Sequence, residues 1–112
     1  MSSAEHAPAM TDLDAIADLV TIQPGATVSR TVLTAEGVRV VLFGFDAGEQ
    51  LTEHTDAMPV VLQVLEGHLR ITADGRTVDL RPGGLIHFGT RLPHAVDAVE
   101  PSKLALLMLD DR

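Results

Sequence analysis

The sequence predicts an all-β domain whose short strands close into a sandwich or barrel. Three observations predict it. Beyond residue 24 the helical period disappears, and apolar residues come in short runs rich in Val, Thr, Ile and Leu. Gly, Pro and Asp turn signals separate these runs at close intervals, without the helical stretches that parallel βαβ units need. Several runs alternate apolar and polar residues with a period of two, the mark of a strand with one wet face.

Taken in order, residues 1–10 read as a tail. Leu13, Ile16, Ala17, Leu19 and Val20 then recur at near-helical spacing behind Thr11 or Asp12 as N-cap. They predict one short N-terminal helix, ended by Pro24-Gly25. Strands are expected at 27–34, 38–46, 50–55, 59–66, 68–73, 76–80, 85–89, 94–99 and 103–110. Their turns include Ala35-Glu36-Gly37, Asp46-Ala47-Gly48, Glu66-Gly67, Ala73-Asp74-Gly75, Arg81-Pro82-Gly83 and Glu100-Pro101-Ser102. The expected organisation is a tail and helix over 1–23 and a barrel over 24–112. Leu69 and Ile71 alternate with Arg70 and Thr72, giving one solvated face. The runs 38–46 and 103–110 are instead apolar on both parities, so both of their faces should be covered. A barrel interior covers one face, and the short helix is too small for the other. A homodimer joined through these strands is therefore expected.

At 112 residues the chain is the size of one domain, with 46% hydrophobic and 21% charged residues. Its formal charge of −8 argues against nucleic acid or an anionic membrane as partner, because both call for clustered Lys or Arg. Three phenylalanines, Phe43, Phe45 and Phe88, are the only Phe, Tyr or Trp residues. A cavity would thus be walled by aliphatic side chains, which disfavours sugars and nucleobases as ligands. There is no cysteine, hence no disulfide or thiolate chemistry. MSSAEHAPAM has neither the basic nor the apolar region of a signal peptide, and the expectation is a cytoplasmic protein.

The stretch Gly48–Gly67 joins a polar patch around Glu53, His54 and Asp56 to the apolar run Val60–Leu65. A strand that is polar at one end and packed at the other is how a barrel builds a small-molecule site in its mouth. Downstream, Pro82-Gly83-Gly84, Leu85–Phe88 and Leu92-Pro93-His94 answer it.

With both stretches in view, the chain resembles the small single-domain cupins, RmlC-like double-stranded β-helices. Gly48, His54 and Gly67 fall in register with the first cupin motif, and Gly83 and His94 with the second. The tetrad Val64–Gly67 and the tripeptide Leu92-Pro93-His94 also look like the family, and the resemblance spans roughly residues 38–100. It implies a jelly-roll barrel. Departures fall on the ligands: Asp56 stands for the second histidine of motif one and Val60 for its glutamate. In motif two Gly89 and Arg91 replace proline and glycine, and Ala98 replaces asparagine.

His54, Asp56 and His94 remain as a two-histidine, one-carboxylate set. His54 and Asp56, at i and i+2, share one face of an extended strand. Such a set suits a divalent transition metal (Fe, Mn, Ni or Zn) with positions left open. The plainer alternative makes Asp56 a turn cap and the histidines a metal-free polar cluster able to exchange protons near neutrality. His87 shares parity with Leu85 and faces either the cavity, as a further ligand, or an edge or interface. Met58 before Pro59 is either a lid or a packing residue, and Arg91 either clamps a carboxylate or lies in an exposed loop. Glu53 has the parity opposite to His54 and reads as surface. His6 and His68 read as tail and surface, and Gln63 as an amide seeking a polar partner in an apolar strand. Two functions stay open: a small-molecule binding module without catalysis, and a metal-dependent enzyme, oxygenase- or isomerase-like, acting on a small polar or acidic compound.

Overall fold

The computed structural model describes residues 8–110. His6 and most of the expected tail lie outside the described residues. Nine strands follow one another: β1 Thr27–Ala35, β2 Val38–Phe45, β3 Gln50–His54, β4 Val60–Glu66, β5 Leu69–Ala73, β6 Arg76–Leu80, β7 Leu85–Phe88, β8 His94–Ala98 and β9 Ser102–Leu109. Every expected run is a strand, with ends shifted by one residue at most.

The strands form two antiparallel sheets, one ordered β1-β2-β9-β4-β7 and the other β3-β8-β5-β6. The chain passes repeatedly from one sheet to the other, so the two pack face to face as a jelly roll. Between them lies the core: Phe45, Val60, Leu62, Val64, Leu69, Ile71, Phe88, Val96, Leu104 and Leu106, each at most 6% exposed. β4 shows the alternation plainly, with Val60, Leu62 and Val64 inside and Val61, Gln63 and Leu65 outside.

The expected N-terminal helix is instead a single four-residue 3-10 turn, Ile16–Leu19. Ala15 has φ 48°, a left-handed conformation that breaks the right-handed helix expected to run through it from residue 13, and no side chain caps the turn. A run this short cannot repay helix nucleation. Tertiary bonds hold it instead: Lys103 donates to the Ala17 carbonyl (2.7 Å) and Arg30 to that of Leu19 (2.9 Å). Val20 thereby packs on Leu42 and Ala105, on the outer face of the five-stranded sheet. This covers one part of that face. Beside it a groove of about 220 Å³ stays open, lined by Leu13, Ile16, Val32, Val40, Gln63 and Leu107 among others. No helix among the described residues is long and apolar enough to cross a membrane.

Candidate metal centre

His54 ends β3 and His94 begins β8, and the two are register partners across that strand pair. The pairing is not regular. Leu51 opposes Val96 and His54 opposes His94, so β3 carries one more residue than β8 in this interval. A bulge of this kind re-aims side chains. Here it turns both Leu51 and His54 inward although they stand three positions apart, an offset that puts residues of a regular strand on opposite faces. The rings meet edge to face with centroids 4.4 Å apart.

Asp56 arrives differently from the strand geometry expected for it. β3 stops at His54, and Asp56 lies in the following loop, tied down by its own carbonyl, which accepts the Arg91 amide at 2.9 Å. That bond links the β3–β4 loop to the β7–β8 loop. The carboxylate Oδ2 then lies 3.3 Å from His94 Nε2 and 3.9 Å from His54 Nε2.

Hydrogen bonding settles which ring nitrogens are free. His54 Nδ1 is 2.8 Å from the Thr52 carbonyl and His94 Nδ1 is 2.8 Å from that of Leu92. A carbonyl only accepts, so each Nδ1 carries the proton, and in the neutral ring each Nε2 presents a lone pair. Backbone carbonyls orient metal-binding imidazoles in the same way. His94 Nε2 and Asp56 Oδ2 are both buried and neither has a hydrogen-bond partner among the described residues. Two lone-pair atoms facing each other at 3.3 Å repel unless a proton or a metal cation lies between them. Left unpaired, each would cost roughly 1–3 kcal/mol. The three ligand atoms all lie within 4.8 Å of one another. Metal–ligand bonds of about 2.0–2.2 Å place neighbouring ligands roughly 3–3.5 Å apart, so small side-chain shifts would close the set on one ion. The donor set fits a divalent transition metal.

Exposure grades outward through the cluster, with side chains 2% exposed for His94, 20% for Asp56 and 39% for His54. Phe88 stacks on His94 from inside, centroids 4.4 Å apart at 18°. Val60, opposite Phe88 in β4 and 1% exposed, adds an aliphatic residue beside Phe88 on the inner side. The cluster therefore has an apolar floor and a wet side at His54.

The remaining candidates lie elsewhere. His87 is exposed on the outer face of β7, because the buried Phe88 takes the inward parity, so the structure does not bring it to the cluster. Met58 is 37% exposed in the loop after Asp56, and Glu53 is exposed. Gln63 lines the outer groove. Arg91 is exposed, with φ 63°, a left-handed backbone costing about 1 kcal/mol or more for a residue with a Cβ. His68, read from sequence as plain surface, is largely covered, its Nε2 bonded at 2.8 Å to Asp79, which also takes Arg70 at 3.0 Å. Those partners hold the Asp79 carboxyl below its ordinary range, the His68 bond contributing most. Sequence reasoning missed the bulge, the Arg91 amide and the two orienting carbonyls. None leaves a signal in residue type, because all three are backbone features.

Solved structures share this architecture. A cupin superfamily protein from Desulfitobacterium hafniense superposes with a TM-score of 0.81 at 24% identity, covering 93% of this chain and 94% of that one. An RmlC-like cupin from Desulfovibrio desulfuricans gives 0.73 at 25% identity over 93% and 97%. Salicylate 1,2-dioxygenase from Pseudoaminobacter salicylatoxidans gives 0.70 at 19% identity, over 79% of this chain and 26% of its own. No curated protein matches in sequence. Residues 41–110 match the cupin domain family. That match covers more than half of the chain and takes in both histidines and the aspartate between them, and the chain belongs to the cupin family.

Proposed function

We propose that this cupin binds a divalent transition metal through His54, Asp56 and His94, and that a small polar or acidic molecule completes the coordination at the barrel mouth. One observation carries the reading: the buried Nε2 of His94 and Oδ2 of Asp56 face each other at 3.3 Å, and neither has a hydrogen-bond partner among the described residues. His54 and His94 would supply neutral imidazoles, with their tautomers held by Thr52 and Leu92, and Asp56 the single anionic donor. A bound metal of this type supplies Lewis acidity and an exchangeable coordination position. The rest is binding: Phe88 and Val60 keep water from the inner side while His54 borders solvent. Elemental analysis of untagged protein tests the reading. Close to one Fe, Mn, Ni or Zn per chain is expected, lost in both His54→Ala and His94→Ala. Protein that takes up none of the four after reconstitution would leave a metal-free polar cluster.

A second reading, a metal-dependent enzyme of oxygenase or isomerase type, draws on a different point. Three protein ligands leave more than one position open, as a metal catalyst requires. The fold likeness to a dioxygenase is compatible with that reading and does not choose it.

We propose, too, that a second copy of the chain covers the outer face of the five-stranded sheet. The groove there is apolar apart from Thr11 and Gln63. An amide offers both a donor and an acceptor, so Gln63 is self-complementary about a two-fold axis.

A further inference from the structure

We infer that the small molecule taken at this centre is a carboxylate, and that Arg91 is the residue that recognises it. The inference rests on the metal-centre reading above and narrows its ligand to one chemical class. Arg91 occupies a left-handed backbone conformation (φ 63°) that glycine adopts without strain, so the fold keeps a long cationic side chain at a position that glycine would occupy at lower cost. Its amide is bonded to the Asp56 carbonyl, which fixes its α-carbon beside a metal ligand. The next carbonyl along the loop, that of Leu92, orients His94. Arg91 therefore belongs to the segment that builds the centre. Its side chain is exposed, and its guanidinium has no ion pair among the described residues. Arg70 is paired with Asp79 and Arg30 is bonded to the Leu19 carbonyl, while Arg39, Arg76 and Arg81 likewise have no ion pair among the described residues; what sets Arg91 apart is its place beside Asp56.

Charge points the same way. Two neutral imidazoles and one carboxylate around a divalent cation leave one positive charge, which an anionic ligand neutralises. The whole chain carries a formal charge of −8, so an anion approaching it meets net repulsion unless a local cation guides it to the mouth. A planar guanidinium matches a carboxylate in two parallel hydrogen bonds. A two-ended anion could then give one oxygen to the metal and its other end to Arg91.

The test uses protein loaded with Co²⁺, oxalate as probe and the neutral oxamide as control, with binding followed by the visible spectrum of the metal and by calorimetry. Arg91→Gln is expected to bind oxalate at least tenfold more weakly than the native chain, with oxamide binding unchanged and Co²⁺ affinity within threefold. Arg91→Lys, which keeps the charge but not the fork, should fall between. Arg91→Gly removes the guanidinium while relieving the backbone, so its loss of oxalate binding would exclude misfolding as the cause. Equal oxalate affinity in native, Arg91→Gln and Arg91→Gly proteins would overturn the inference. Failure to take up Co²⁺ would overturn the metal-centre reading instead. Oxalate-induced NMR shifts in the metal-free protein would then judge Arg91 alone, supporting it if abolished in Arg91→Gln and rejecting it if retained.

Discussion

Single residues decide what the cluster can hold. Asp56 is the only anionic donor among the three, and Asp56→Asn keeps its shape while removing its charge. We expect metal affinity to fall at least tenfold, about 1.4 kcal/mol, with little change in the folded spectrum. Competition against a chelating dye measures this, and an unchanged affinity would remove Asp56 from the ligand set. Val60 offers the opposite experiment. A glutamate there would be buried with no charge partner, costing the metal-free protein roughly 2 kcal/mol or more. Metal should return part of that loss, so Val60→Glu should gain more in melting temperature on metal addition than the native chain. A carboxylate of another kind sits at Asp46, whose oxygens accept the Gly25 and Ala47 amides at 2.6 and 2.9 Å. These bonds, Gly25 first, hold its pKa below the ordinary value. A lowered folded-state pKa adds stability above the unfolded-state pKa and loses it as pH falls through the folded one. Urea midpoints at about pH 7 and about pH 2.5 should therefore differ less in Asp46→Asn than in the native protein.

At the scale of elements, the turns and the bulge set the register that brings the cluster together. Gly67 closes β4 with φ 86°, and a Cβ there would collide with Ser102 Oγ and the Pro101 carbonyl. Ser102 is fully buried, and its hydroxyl accepts the His68 amide at 2.9 Å. Gly67→Ala should cost about 2 kcal/mol or more, from left-handed strain and from displacing that hydroxyl. Chemical denaturation measures it, and a loss below half that value would mean the turn yields easily. Arg91 stands where the cupin pattern has glycine, and its backbone is left-handed as glycine's would be. The sequence departure there changes the side chain and leaves the path of the loop intact.

For the molecule as a whole, the antiparallel jelly roll buries a continuous core but leaves apolar surface outside the five-stranded sheet. The 3-10 turn shelters Leu42 and Ala105, while the groove by Gln63 and Leu107 stays open. Leu107→Glu should convert the proposed dimer to a folded monomer, since it places a carboxylate in that face from each copy. Analytical ultracentrifugation at micromolar concentration reads the result. A native protein that sediments as a monomer would dismiss the dimer and leave the metal centre untouched.

The residues alone carried the strands, because period-two alternation and Gly, Pro and Asp turns are local properties that each run expresses without its neighbours. They also supplied the three candidate ligands, by type and by likeness to a family. Convergence is not local. Whether His54 and His94 share one lumen depends on an extra residue in β3, and the place of Asp56 depends on an amide in a distant loop. Likewise the parity of His87 followed from which neighbour the core claimed, and the near-helical run 13–20 became one turn because packing on Leu42 and Ala105, rather than backbone propensity, held it. Register and main-chain hydrogen bonds between remote segments made those decisions, and they exist only once the sheets have paired.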